Sequence, residues 1–183
     1  MKIIEYKGVF INLKKSKMQK NREFYEEYKN LMSEILTHEK LKRLDNYTQH
    51  FKCTRLKHSI DVSYYSFYIA KLFNLDYISA ARAGLLHDLY FQKETHIKKR
   101  FKMLHTHPKD ALANAIEICG DLNAIERDAI LKHMWLVTAA PPKYRESYIV
   151  SFVDKYCAVK EFFSSVFSKD FAKKSYSRMI RFY

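Results

Sequence analysis

The chain has 183 residues, with 33 lysines and arginines against 20 aspartates and glutamates, a formal charge of +13. That length suits one domain around a single sizeable core, and three glycines with three prolines are too little punctuation for a many-stranded sheet. No apolar run approaches the roughly 18 residues that span a bilayer. The N-terminal MKIIEYKGVFINLKK lacks an extended apolar region and a small-residue cleavage site, so no signal peptide is expected.

In chain order, residues 1–16 read as a short strand or an extended arm around Ile3, Val9 and Ile11. From Met18 to Leu36 the apolar residues Phe24, Tyr28, Leu31, Met32 and Ile35 recur at three- and four-residue steps, which predicts a helix. Thr37 is placed to cap a second helix running to about Tyr47. Thr54 is a good N-cap for a helix reaching Phe73, with His58 on the stripe of Val62, Tyr65, Ile69, Leu72 and Phe73. Asp76 caps the next helix, which runs through Ala80, Ala83, Leu85 and Leu86 into His87 and Asp88.

Residues 91–106 are polar and basic and read as a loop or an irregular short helix. Pro108 suits the first turn of another helix, with Ala111, Leu112, Ala115 and Ile116 as its apolar face and Gly120 as C-cap. Asn123 and Glu126 have the spacing of a capping box, opening a helix towards His133. After Pro141 and Pro142 a long helix from about Tyr144 to Phe167 carries Asp154, and the tail FAKKSYSRMIRFY is amphipathic. The expected fold is one all-α domain of seven or eight helices. Cys53, Cys119 and Cys157 are scattered, odd in number and without CxxC spacing. They read as thiols of a reducing compartment, so a cytoplasmic location is expected.

The charge is uneven. Residues 1–57 carry fourteen Lys/Arg and seven Asp/Glu, and residues 155–183 carry seven and two. Such ends attract phosphates, whether of a nucleotide, a nucleic acid or an anionic membrane surface. No nucleic-acid-binding motif accompanies them.

Chemistry gathers where polar residues fall on apolar helix faces: His58, His87, Asp88, His107, His133 and Asp154. A lone core histidine is ordinarily hydrogen-bonded to a carbonyl, but six such residues would each need a buried partner. One cluster of divalent cations satisfies all six, and imidazole with carboxylate suits iron, manganese, zinc or cobalt.

The order His58, His87-Asp88, Asp154 resembles the H…HD…D pattern of the HD-domain metal-dependent phosphohydrolases, an all-helical family. RLKHSIDVSYYSFYIAKLFNLD, AARAGLLHDL and YIVSFVDKYCAV are similar to its first-histidine, HD and closing-aspartate helices. HPKDALANA and AILKHMW resemble the further histidine elements of the branches that hold two metals, which places His107 and His133 as ligands. His105 competes with His107, and the following proline and small residue favour His107. His38, His50 and His96 have no motif support. The Ile-Gly-Lys that follows the HD pair in the HD-GYP branch is replaced here by Leu-Tyr-Phe-Gln-Lys, and the GYP motif is absent. Hydrolysis of cyclic di-GMP is therefore not implied.

The resemblance implies that His58, His87, Asp88 and Asp154 hold one divalent ion and His107 and His133 a second, with Asp88 bridging. Iron or manganese is expected, with zinc, cobalt, nickel or magnesium as alternatives. It implies an HD domain over residues 51–165, a basic helical extension over 1–50 packed on it, and a C-terminal helix of the same domain over 166–183. The implied activity is hydrolysis of a small, nucleotide-like phosphate ester or anhydride by a metal-activated water. Asp88 orients the metals and helps accept a proton, and Lys93, Lys143, Arg145, Lys57 and Arg55 are candidate phosphate contacts. A diiron oxygenase of the same fold and a non-catalytic binder of anionic partners are the rival readings.

Overall fold

Local signals for starting and stopping helices account for much of the architecture. The computed structural model describes residues 3–50, 53–92 and 97–167. It is all-α, with seven helices among those residues and one two-stranded ribbon. The helices are α1 (Ile3–Thr37), α2 (Glu39–Lys42), α3 (Arg55–Leu72), α4 (Tyr77–Leu86), α5 (Ile97–Cys119), α6 (Ala124–Lys132) and α7 (Arg145–Phe167). Strands β1 (Thr48–His50) and β2 (Cys53–Thr54) pair antiparallel ahead of α3.

Three predicted caps are present. The Thr54 side chain accepts from the Lys57 amide, Asp76 accepts from the Ser79 amide, and Asn123 with Glu126 forms a reciprocal capping box. Each satisfies a main-chain donor that a helix start leaves without an internal partner. Gly120 follows α5 at φ +71°, where a side chain would be strained.

Elsewhere the structure corrects the expectation. Residues 3–16 are the first part of α1, neither strand nor arm. The cap of α2 is His38, whose Nδ1 accepts from the Lys40 amide, while the Thr37 hydroxyl donates back to the Ser33 carbonyl. A helix to Tyr47 is replaced by α2 and a 3₁₀ turn over Arg43–Asn46. Residues 97–106 belong to α5, so Pro108 lies inside that helix and removes one ladder hydrogen bond from it. The stripe on α3 turns outward at its end: Leu72 is 54% and Phe73 71% exposed, while Val62 of that stripe is buried together with Ser59, Ser63, Ser66, Phe67 and Ala70. The tail after Phe167, and with it the segment 166–183 as a helix, lies almost wholly outside the described residues. No helix among the described residues is long and apolar enough to cross a membrane.

The core joins Tyr28, Met32 and Ile35 of α1 to Val62 and Phe67 of α3, Leu85 and Leu86 of α4, Ala111 and Ala115 of α5, Ile130 of α6 and Val150 of α7. Edge-to-face aromatic pairs fasten α1 to α3, Tyr28 meeting Tyr64 and Phe67 at 5.2 and 5.6 Å. The contact that sets the position of α4 is a seam of small residues. A Cβ on Gly84 would lie 2.9 Å from Ser63 Cα and 3.2 Å from the Val62 carbonyl oxygen, and the Ser63 hydroxyl donates to the Ala81 carbonyl across the same seam at 2.7 Å. An Arg82–Glu126 ion pair (2.5 Å) then ties α4 to α6, and Glu146 of α7 accepts from the Asp76 amide at 3.1 Å.

Because backbone atoms meet the added methyl group at Gly84, no side-chain rotation relieves the clash. Gly84→Ala is expected to destabilise the fold by about 1–3 kcal/mol. The measurement is a fall in the urea midpoint at constant slope; an unchanged midpoint would mean that α3 and α4 do not approach this closely.

Candidate metal centre

Five helices deliver six polar side chains to one buried point. His58 comes from α3, His87 and Asp88 from the end of α4, His107 from α5, His133 from the end of α6, and Asp154 from α7. All six are buried: His58 and His87 completely, Asp154 least at 9% exposed. His87 and His133 occupy the C-cap positions of their helices, where the last carbonyls lack helical partners. Each ring uses one of these: Nδ1 of His87 donates to the Gly84 carbonyl at 2.8 Å and Nδ1 of His133 to the Ile130 carbonyl at 2.7 Å. Nδ1 of His107 donates to the Met103 carbonyl at 2.6 Å.

These three bonds fix the tautomers. With the proton on Nδ1, each neutral ring presents a bare lone pair at Nε2, and the lone pairs converge on Asp88. His87 Nε2 lies 3.4 Å from Asp88 Oδ2, while His107 and His133 Nε2 lie 3.3 and 3.6 Å from Asp88 Oδ1. The His107 and His133 Nε2 atoms stand 2.9 Å from each other. His87 Nε2 and Asp88 Oδ1 are buried and make no hydrogen bond. On the far side His58 Nε2 is 3.0 Å and His87 Nε2 3.7 Å from Asp154 Oδ1.

Acceptors facing acceptors in a dry site demand a positive charge between them. The donor set fits a metal on that observation. Two overlapping groups, His58–His87–Asp88 and Asp88–His107–His133, each place three ligand atoms within 4.8 Å of one another. Spacing of this order is what neighbouring ligands present when each stands about 2.0–2.2 Å from a shared ion. Asp88 belongs to both groups, so the residue expected to bridge is the one both clusters share.

In the metal-free chain protons carry the charge. Burial alone would lower the His58 pKa, but hydrogen bonds to Asp154 and Glu161 outweigh it and push it up to about 10. Burial also opposes His107, and the adjacent Asp88 carboxylate raises it. His133, desolvated and packed beside the His87 ring, is pushed down to about 3. Burial opposes ionisation of Asp88 and Asp154, yet the surrounding histidines hold both carboxyls well below the ordinary range.

The structure also adds residues that the sequence did not suggest. Glu161 Oε1 accepts from His58 Nδ1 at 2.9 Å. It lies two turns beyond Asp154 on the same face of α7, a spacing visible in the sequence but carried by a residue type that normally faces solvent. Lys155 Nζ reaches Asp154 Oδ2 (3.2 Å), Ser151 Oγ (3.3 Å) and the His133 carbonyl, linking α6 to α7 behind the cluster. Gln49 of β1 donates through Nε2 to Asp88 Oδ2 and accepts from Arg55 Nε at 2.7 Å.

The candidate phosphate contacts fare unevenly. Arg55 is 2% exposed, with its guanidinium 3.6 Å from the Tyr90 ring centroid and Nη1 donating to the Tyr90 carbonyl at 2.5 Å. Lys57 is engaged by Asp61 at 2.5 Å. Lys143 and Arg145 are exposed around the start of α7, and among the described residues no contact joins either to the cluster. Lys93 and His96 lie outside the described residues. His105 is exposed and His107 buried, which agrees with His107 as the ligand.

Fold and site together define an all-α protein whose buried histidine–aspartate clusters could hold metal ions. Comparison with known protein families, with curated proteins and with solved structures finds no match to this chain.

Since the folded-state pKa of His58 lies above the ordinary value of about 6.5, its proton is bound at neutral pH and lost only as the pH rises through about 10. An ion taken up at Nε2 must displace that proton. Loading chelator-stripped protein with Mn²⁺ at about pH 8 is therefore expected to release at least one proton per chain, with less released as the starting pH approaches 10. Proton release followed in weak buffer checks this, and uptake with no release at pH 8 contradicts it.

Proposed function

We propose that this chain is a metal-dependent phosphohydrolase of the HD type, cleaving a small, nucleotide-like phosphate ester or anhydride. The observation that carries the reading is Asp88: one buried carboxylate faces three imidazole lone pairs and belongs to both candidate ligand groups. The ordered His58, His87-Asp88, Asp154 pattern supports the HD assignment, and the second group, with His107 and His133, supports the two-ion branch.

Divalent ions held between such ligands lower the pKa of coordinated water and draw charge from phosphoryl oxygens. The chain's own part is preorganisation. Carbonyls of Gly84, Met103 and Ile130 hold the rings of His87, His107 and His133 in one tautomer. Gln49 orients the Asp88 carboxylate, and the ring packing around His87, His107 and Tyr90 keeps bulk water from the ligands. Lys155, with Nζ 3.2 Å from Asp154 Oδ2, supplies positive charge beside the carboxylates, which favours an anionic substrate over a neutral one.

The test is a phosphatase and phosphodiesterase screen across nucleotides and nitrophenyl esters, with Mn²⁺, Fe²⁺, Co²⁺ or Mg²⁺ supplied. At least one substrate is expected to turn over with the wild type. Asp88→Ala is expected to lose at least about 10²-fold of that rate while retaining its fold by circular dichroism. Oxygen consumption by iron-loaded protein, with no hydrolysis of any ester or anhydride, would overturn the assignment in favour of oxygenase chemistry. Metal binding without either activity would leave a non-catalytic binder as the reading.

A further inference from the structure

The four histidines of the cluster are not held in the same way. His87, His107 and His133 hand their Nδ1 protons to neutral main-chain carbonyls, whereas His58 hands its proton to a carboxylate, Glu161 Oε1, at 2.9 Å. That carboxylate is itself buried: its side chain is 10% exposed, and Oε2 makes no hydrogen bond. The groups beside it are chosen to stay neutral or to be paired elsewhere. Burial first, and then the Glu161 charge, push the Cys53 thiol up to about 12, so it remains protonated, while Lys57 is engaged by Asp61. Burying an acid here is expensive, and a tautomer lock alone does not require it, because three neighbouring rings are locked by carbonyls.

A carboxylate behind an imidazole makes the ring a more electron-rich donor than a carbonyl does. Charge is also unequally shared between the two candidate groups. The group containing His58 faces Asp88 and Asp154 and has Glu161 behind it, whereas the group containing His107 and His133 has Asp88 alone.

We propose that Glu161 is a positioning residue for His58, and that it makes the His58–His87–Asp88–Asp154 position the tighter of two unequal ion sites. This rests on the metal-centre reading above, not on the identity of the substrate. Glu161 touches no ligand of the second group, so removing its charge acts on one position only.

The experiment is a metal titration of the full chain, stripped by chelator, with Mn²⁺ or Co²⁺ alone, read by calorimetry and by the visible absorption of bound Co²⁺. The wild type is expected to show two classes of site. Glu161→Gln, which keeps the side-chain shape and an acceptor oxygen but loses the charge, is expected to weaken the tighter class by about 10- to 100-fold. The weaker class is expected to hold its affinity and its Co²⁺ spectrum. His133→Ala provides the mirror image, losing the weaker class and keeping the tighter one. An unchanged tighter class in Glu161→Gln overturns the proposal, as does equal weakening of both classes, which is what a general structural role would give. A wild type that binds no ion overturns the metal-centre reading itself, an outcome distinct from either.

Discussion

The site depends on one repeated device: an imidazole proton given to a carbonyl, so that the lone pair at the other end of the ring points inward. At His87 and His133 the carbonyl belongs to the last turn of the helix that each histidine closes. A helix end has carbonyls to spare, and a histidine in the C-cap position can take one without disturbing the ladder. The bond satisfies the helix and aims the ring at once. Without it the rings could turn, donate to Asp88 as ordinary neutral hydrogen-bond partners, and leave no need for a cation.

Bringing two such helix ends to a single carboxylate requires close approach, and the seam between α3 and α4 provides it. Gly84 serves twice there. Its missing side chain lets α4 lie against the Ser63 backbone, and its carbonyl receives the His87 proton. Displacing α4 therefore moves the ring that the same residue orients. Packing and ligand geometry are coupled through one position, and Arg82–Glu126 with Asp76–Glu146 hold the same helix from its other sides.

What the sequence made legible follows from where energy is local. Thr54, Asp76 and Asn123 cap their helices through side chains three residues from the amides they satisfy, so the residue types are enough to find them. His58, His107, His133 and Asp154 stood out as polar residues on apolar faces, a conflict only a buried partner resolves. One failure was local: Ile97, Phe101 and Leu104 fall at helical spacing, but Pro108 suggested a helix start, and the helix instead runs through the proline. The other failures are non-local. Leu72 and Phe73 continue a stripe that the partner helices do not follow. Glu161 on a long helix reads as a solvated charge until the docking of α3 against α7 buries it, and Gln49 acquires a role only because a ribbon places it over Asp88.

Gln49 also explains an otherwise costly feature. Arg55 is buried with no carboxylate in salt-bridge range among the described residues, and a lone buried guanidinium is unfavourable unless its donors and charge are met. Tyr90 meets both, through its ring face at 3.6 Å and its carbonyl at 2.5 Å, and Tyr47 adds a second ring at 5.3 Å. The remaining tie is to Gln49 Oε1, whose amide end holds Asp88 Oδ2. A planar guanidinium can stack and donate in two directions together, which a lysine at this position cannot do. Arg55 thus steadies Asp88 through Gln49 as Glu161 steadies His58 directly. The two charged supports have opposite sign, cation behind the carboxylate and anion behind the imidazole: the first favours the ionised carboxylate, and the second holds the Nδ1 proton of His58 so that Nε2 is the atom left for a metal once its own proton is displaced.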